Sequence, residues 1–351
     1  MLADGKNISL MIQGPVTFSN NNFDQNHTIT WIKHLPSYLE YFDEIVVSTY
    51  EIERCPCCGM HKDDGYCENL DNLPLQFIKE VLIKRLGYDE GDEIFDLCKE
   101  KIKFVFSPSI PGSIEEIDGK ARFVSDYLNY LTTFHYALYT MSNGFREVSN
   151  PYVIKMRTDE CYGDFSRLIE VFNENPNKFI CGNIFCKPTW PYIGDDDAWK
   201  FKRKHGIHIG DHVFMAKTKH LYAAANNLFA LYDNDMNIYE ADTFSSKEEA
   251  DEFKNQTWHI FVDKNRIPGG PANRDVLHPK DKLCPETILF CSWLWAQGIT
   301  QGKWSKWNEY DQPFKVVDIN SLGHYVARWN SAGITFSSEK ELFFWARWSR
   351  T

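Results

Sequence analysis

An apolar, strand-like run from Ile8 to Ile12 stops at Gln13-Gly14-Pro15, a Gly-Pro break that ends a strand sharply. From Thr28 to Tyr41 the apolar residues Ile29, Ile32, Leu35 and Leu39 fall near helical spacing, with Pro36 placed to cut or kink that helix. A second run, Glu44-Ile-Val-Val-Ser-Thr49, is β-branched and apolar in the manner of a strand buried on both faces. Strand, helix, strand within about fifty residues opens a parallel βαβ unit, which narrows the chain to the α/β folds.

The pattern continues. Lys103 to Phe106 reads as a third strand, Gly119 to Met141 as a long helix carrying Phe123, Leu128, Leu131, Phe134 and Leu138, and Tyr152 to Met156 as a central strand. That strand ends in Arg157-Thr158-Asp159-Glu160, an abrupt polar cluster, and open α/β sheets bind their ligands at the carboxyl ends of their strands. Further strands are expected at Phe179 to Ile184 and Asp211 to Ala216, with an apolar core helix near Thr287 to Ala296. Capping boxes at Ser246-x-x-Glu249 and Ser338-x-x-Glu341 mark two more helix starts. The expected fold is α/β: a mixed, mostly parallel central sheet flanked by helices, with residues 1–351 as a single domain. Its first half, 1–160, carries a Cys-rich insertion over about 52–75. Its second half, 161–351, is less regular and includes an Asn- and Asp-rich excursion over about 233–281, a length that is usually functional or disordered.

Charge excludes one large class of partners. With 38 Lys plus Arg against 49 Asp plus Glu, the chain carries a formal charge of −11, whereas nucleic-acid binding needs clustered positive charge. No apolar run approaches the ~18 residues of a membrane span. The start, Met-Leu-Ala-Asp-Gly-Lys-Asn, lacks the pattern of a secretion signal, so a cytoplasmic location is expected and the ten cysteines read as thiols rather than disulfides.

Several constellations can carry chemistry. Asp159 and Glu160, at the end of a buried strand, offer hard oxygen ligands to Mn²⁺ or Mg²⁺, although adjacent acids in a turn are commonly only solvated. Glu286 follows Cys284-Pro285 in the first turn of an apolar helix, where the dipole favours a carboxylate. It reads either as a capping acid or as a general base for a sugar hydroxyl. His205-Gly-Ile-His208-Ile-Gly-Asp211-His212 brings three His and one Asp together, but its glycines suggest loop and turn more than a metal site, and Asp211 is the more interesting residue, as an acceptor-binding carboxylate. Cys55, Cys57, Cys58, His61 and Cys67 have the ligand types of a structural Zn²⁺, the alternative being free surface thiols. Tryptophans crowd the last part of the chain; most suit a core, while Trp304 and Trp307, set among polar residues, suit stacking on an acceptor sugar.

Taken in order, Ile-Ser-Leu-Met-Ile-Gln13-Gly14-Pro15, Ile-Val-Val-Ser48-Thr49, Lys-Met-Arg157-Thr158-Asp159, His208-Ile-Gly-Asp211-His-Val-Phe and Pro285-Glu286 resemble the WavE lipopolysaccharide-synthesis family, which looks like a branch of the GT-A glycosyltransferases. The resemblance covers roughly residues 8 to 300. It implies a Rossmann-like, GT-A-like fold whose first half holds a nucleotide-diphosphate sugar, a UDP-sugar foremost, and whose second half meets a glycan or lipid-linked saccharide. On that likeness Gln13, Gly14, Pro15, Ser48, Thr49, Arg122 and Arg157 fall where the donor is held. Asp159 takes the last position of an Asp-x-Asp metal motif, Glu160 stands beside it, and His324 falls where some relatives add a metal ligand. Glu286, or failing it Asp211, would be the base, with inversion slightly favoured. The first acid of Asp-x-Asp is Arg157 here, so either Asp159 and Glu160 carry Mn²⁺ or Mg²⁺, or positive charge alone stabilises the leaving diphosphate. Two other readings compete: a nucleotidyltransferase that makes activated sugars, for which Gln-Gly-Pro-Val is a poor phosphate loop, and a non-enzymatic binding protein on an inherited fold.

Overall fold

The computed structural model describes residues 3–14, 16, 27–50, 73–107, 115–117, 120–122, 126–182, 212–232, 289–290, 292–294, 296–298, 313–323 and 325–326. Strand β1 (Ile8–Gln13) is buried along its whole length, in keeping with its mostly apolar sequence. A 3-10 helix (His27–His34) passes into α1 (Leu35–Tyr41) at Pro36, which sits in the first turn where a proline's missing N–H costs nothing. The proline therefore divides the expected helix into a tight and a regular segment. Strand β2 (Glu44–Tyr50) follows, then α2 (Leu73–Leu86), α3 (Tyr88–Lys101) and β3 (Ile102–Ser107).

Next come β4 (Glu115–Ile117) and β5 (Lys120–Arg122), an antiparallel pair, and α4 (Asp126–Glu147). The long helix thus begins later and ends later than a start at Gly119 would give. The residues up to Arg122 go instead into the β4–β5 pair, ahead of the helix. Strands β6 (Tyr152–Arg157) and β7 (Glu160–Cys161), helix α5 (Ser166–Glu174), β8 (Phe179–Gly182), β9 (Val213–Lys217), α6 (Thr218–Tyr232), β10 (Phe314–Val317), a short 3-10 helix (Ile319–Leu322) and β11 (Tyr325–Val326) complete the described elements.

Seven strands form one sheet in the order β10-β8-β9-β6-β1-β2-β3. The pairs β1–β2, β1–β6, β2–β3 and β8–β10 are parallel; only β9 runs against its neighbours β6 and β8. The chain is therefore what its opening suggests, a mixed, mostly parallel central sheet flanked by helices. Alternate residues divide the core between the two faces. Ile8, Leu10, Ile12, Ile45, Val47, Ile154 and Met156 pack with Trp31, Leu35, Ile78, Leu82, Leu168 and Phe172 from the 3-10 helix, α1, α2 and α5. Met11, Val46, Val153, Phe214 and Ala216 face the other way, onto Leu138, Met141 and Phe145 of α4, Leu221 and Ala224 of α6, and the helical residues Leu289, Phe290, Trp293 and Leu294. Each such side chain contributes about 1.5–3 kcal/mol on burial, which is what holds three layers together.

From β1 the chain adds β2 and β3 on one side, then returns across the sheet to lay β6 on the other side of β1. Right-handed crossovers put the connecting helix on the opposite face once the direction of strand addition reverses, and α4 does lie on the face opposite α1 and α2. The reversal makes the carboxyl ends of β1 and β6 the switch point of the sheet, the place at which open α/β sheets take ligands.

Candidate functional site

Three strand ends lie side by side at that switch point. Gln13, the last residue of β1, pairs in register with Ser48 of β2 on one side and Arg157 of β6 on the other. Gly14 follows with φ 138°, a conformation that side chains resist, and its N–H donates to the Ser48 carbonyl at 3.1 Å. The Thr158 N–H donates to the Gln13 carbonyl at 3.2 Å, so the chain leaving β6 is stitched against the end of β1. A β-carbon on Gly14 would lie 2.8 Å from the Thr158 Oγ1. Only glycine lets the two exits pass this closely.

Of the donor-site residues suggested by sequence, Gln13, Gly14, Ser48, Thr49 and Arg157 lie at this edge, but several face inward. The Gln13 amide donates to Thr140 Oγ1 at 2.7 Å, and the Ser48 hydroxyl donates to the Thr140 carbonyl at 2.6 Å; both are buried against α4. Thr49 is buried too, its hydroxyl oxygen accepting the Val16 N–H at 3.1 Å. These three side chains fix α4 and the segment after β1, because a polar group at a buried strand end must find a partner within the fold. Arg122 lies on β5, just before α4. Helix α4 runs on from Thr140 toward Asp126 for roughly 20 Å at ~1.5 Å per residue, which carries its amino end past the strand ends.

Arg157 and Asp159 remain open to solvent, with side chains 31% and 17% exposed. They form a fork: Arg157 Nε donates to Asp159 Oδ1 and Arg157 Nη2 to Asp159 Oδ2, each at 2.8 Å. Such bidentate pairs are the geometrically best ion pairs a carboxylate makes. Two residues earlier on the same strand face, Lys155 is fully buried, its Nζ 5.3 Å from the centroid of the Phe214 ring.

Glu160 does something different from its neighbour. It is buried; its Oε2 accepts the Tyr162 hydroxyl at 2.6 Å and its Oε1 contacts His212 Nδ1, at the start of β9. Tyr38 of α1 closes the network, donating its hydroxyl to the Tyr162 carbonyl and accepting the Tyr162 N–H, both at 2.8 Å. Burial pushes the Tyr162 phenol well above its ordinary pKa, with the Glu160 carboxylate adding to the shift, and burial likewise raises Tyr38, so both keep their protons. Burial also lifts the Cys161 thiol, up to about 12, which leaves it unreactive.

The expectation that Asp159 and Glu160 together hold a divalent ion does not fit this donor set. Both oxygens of Asp159 are engaged by a guanidinium, and both oxygens of Glu160 are turned into a buried network. Among the described residues no three His, Cys, Asp or Glu side chains are grouped as a metal site. His324, Glu286, Asp211, Pro15, Trp304, Trp307 and the zinc candidates Cys55, Cys57, Cys58, His61 and Cys67 lie outside the described residues.

The site residues that sequence reading passed over are Thr140, Tyr162 and Lys155, while Thr158 was met only as part of the polar cluster after β6 and His212 only as one of a His-rich run. Lys155 left a signal, a lone cation inside an otherwise apolar strand. Tyr162, two residues from Glu160 in an extended stretch, left a weaker one. His212 and Glu160 stand 52 residues apart, and no local spacing could pair them.

Fold and site together define an open α/β sheet with a polar, arginine-bearing edge at its switch point. No protein-family model matches the chain, and no curated protein matches it. Among solved structures, 4-diphosphocytidyl-2C-methyl-D-erythritol synthase from Anaerococcus prevotii is 12% identical, with 84% of this chain and 100% of that one covered and a TM-score of 0.29. HddC from Yersinia pseudotuberculosis is 11% identical over 67% of this chain and 84% of that one, with a TM-score of 0.28. The mannosyltransferase PcManGT from Pyrobaculum calidifontis, in complex with GDP-Man and Mn²⁺, is 9% identical over 98% of this chain and 87% of that one, with a TM-score of 0.29. No helix among the described residues is long and apolar enough to cross a membrane.

Proposed function

We propose that this chain is a GT-A-like glycosyltransferase of the WavE kind, moving a sugar from a nucleotide-diphosphate donor to a hydroxyl of a glycan or lipid-linked saccharide. The observation that carries the reading is the switch point between β1 and β6, with the partly exposed Arg157–Asp159 pair at its carboxyl edge. The switch point of an open α/β sheet is where such folds receive a nucleotide, and a guanidinium beside it is suited to diphosphate oxygens. Arg122, ahead of α4, would meet the donor from above the strand ends. Glu286 is the acceptor base in this reading, with Asp211 as the substitute, Trp304 and Trp307 stack on the acceptor, and inversion is the favoured outcome.

A thermal-shift screen of the full chain against UDP-, GDP-, CMP- and dTDP-sugars tests the donor assignment, since a ligand that binds only the folded state raises the melting temperature by mass action. A shift with one nucleotide family is expected. Stabilisation by nucleoside triphosphates and sugar 1-phosphates, with none by any nucleotide-sugar, would replace the transferase reading by a nucleotidyltransferase. A Glu286→Gln chain is expected to bind donor and to lose transfer by about 10²- to 10⁴-fold; full transfer would remove Glu286 from the role of base.

A further inference from the structure

We propose that the Arg157 guanidinium, held in place by Asp159, stands where a divalent cation would otherwise meet the donor's diphosphate, so that this chain binds nucleoside diphosphates without a metal ion. The inference rests on the donor reading above and deepens it.

Position is the first ground. Arg157 ends β6, in register with Gln13 at the end of β1, which puts a cationic side chain at the carboxyl edge of the switch point. Its side chain is about one-third exposed and so is reachable from solvent, whereas Lys155 behind it is sealed under Phe214. The second ground is the donor set. A hard cation needs several oxygens turned to a common point. Asp159 turns both of its oxygens to Arg157, and Glu160, the one other carboxylate of the Arg157–Glu160 cluster, gives both of its own to Tyr162 and His212. An ion seated at Asp159 would have to open the fork and lie against a permanent positive charge.

The third ground is chemical fit. A guanidinium is planar and stays charged at every working pH, and the fork to Asp159 holds that plane in place. Its planar geometry suits phosphate oxygens, which it can meet in pairs. Asp159 acts here as a positioning residue: it orders the long side chain before the ligand arrives, which lowers the entropy lost on binding. Its carboxylate also weakens the pull on an anion, so the arrangement trades some affinity for orientation.

Isothermal titration of the full chain with UDP, GDP, CDP and dTDP, and with the matching monophosphates, tests this in the presence of EDTA and again with Mn²⁺. One diphosphate is expected to bind in EDTA with a Kd within about threefold of its value in Mn²⁺. Arg157→Ala is expected to weaken that diphosphate about tenfold more than the matching monophosphate, and Arg157→Lys to fall between, since it keeps the charge and loses the plane. A purely structural ion pair would move both ligands alike. Asp159→Asn separates a positioning carboxylate from a metal ligand: it is expected to change diphosphate binding by the same factor in EDTA and in Mn²⁺, whereas loss of a metal ligand would change it in Mn²⁺ alone. Binding that EDTA abolishes, or a diphosphate-to-monophosphate ratio unmoved by Arg157→Ala in a protein that still melts cooperatively, overturns the proposal and leaves the donor reading standing. If none of the four nucleotides binds in either condition, the donor reading itself falls, and this inference with it.

Discussion

At the scale of single residues, the edge of β6 separates two neighbouring carboxylates by what surrounds them. Asp159 keeps contact with water and pairs with a guanidinium, while Glu160, one residue on, is buried and is made tolerable by Tyr162 and His212. Removing the Tyr162 hydroxyl leaves one carboxylate oxygen buried without that donor, and Tyr162→Phe is expected to cost about 1–3 kcal/mol, read as a lowered urea midpoint at unchanged slope. Gly14 meets two separate obstacles to substitution, its φ of 138° and the Thr158 Oγ1 at 2.8 Å from a new β-carbon. Gly14→Ala is expected to destabilise by about 1–3 kcal/mol. Adding Thr158→Ala should recover the part due to contact and leave the part due to backbone strain. Full recovery in the double variant would show that the backbone there carries no strain.

At the scale of elements, α4 is the part that the sheet holds most closely. Gly144 lies where a β-carbon would come within 2.7 Å of Met11 Sδ and 2.8 Å of Ser48 Cβ, and Asn143 donates to Ser107 Oγ at 2.9 Å, beside the bonds from Gln13 and Ser48 to Thr140. In a free helix Gly→Ala stabilises by ~1 kcal/mol; here Gly144→Ala is expected to destabilise by about 1–3 kcal/mol, because β1 and β2 must give way. The sign alone decides between helix propensity and close approach. The parallel strands were legible because a strand covered on both faces has an apolar centre, as Leu10 to Ile12 of β1 and Ile45 to Val47 of β2 do. Helix α2 was legible in principle: Phe77, Ile78, Val81 and Leu82 repeat at helical spacing, but the thiol-rich stretch before it drew the reading toward an insertion. Helix α3 was not, since Gly91, Phe95 and Cys98 are its buried residues amid a charged surface. The Arg157–Asp159 lip could be placed from its abrupt polarity at a strand end. The inward turn of Gln13 and Ser48 could not, because it depends on where α4 crosses the sheet.

At the scale of the whole molecule, charge and burial pull stability in opposite directions as pH falls. The net charge of −11 shrinks toward zero near the sequence pI of about 5.5, which relieves self-repulsion and favours the folded state. His220, half-buried on α6, works against this. Burial, then the charges of Lys219 and Lys217, lowers its pKa from 6.5 to about 4. The unfolded chain therefore takes up a proton at this ring as pH drops through 6.5, while the folded chain resists until about 4. The stability that His220 supplies is whole above pH 6.5 and declines between 6.5 and 4. His34 is lowered for the same first reason, burial, with Lys33 adding to it, and it contributes to the decline in the same direction. Replacing His220 by glutamine removes one proton-binding difference between the two states and leaves the net-charge effect in place. The urea midpoint of His220→Gln is expected to fall less steeply than that of the parent between pH 6.5 and 4, with the two curves running parallel above that window. Parallel curves through the window as well would mean that the imidazole titrates alike in both states and that its surroundings in α6 do not exclude the charged ring.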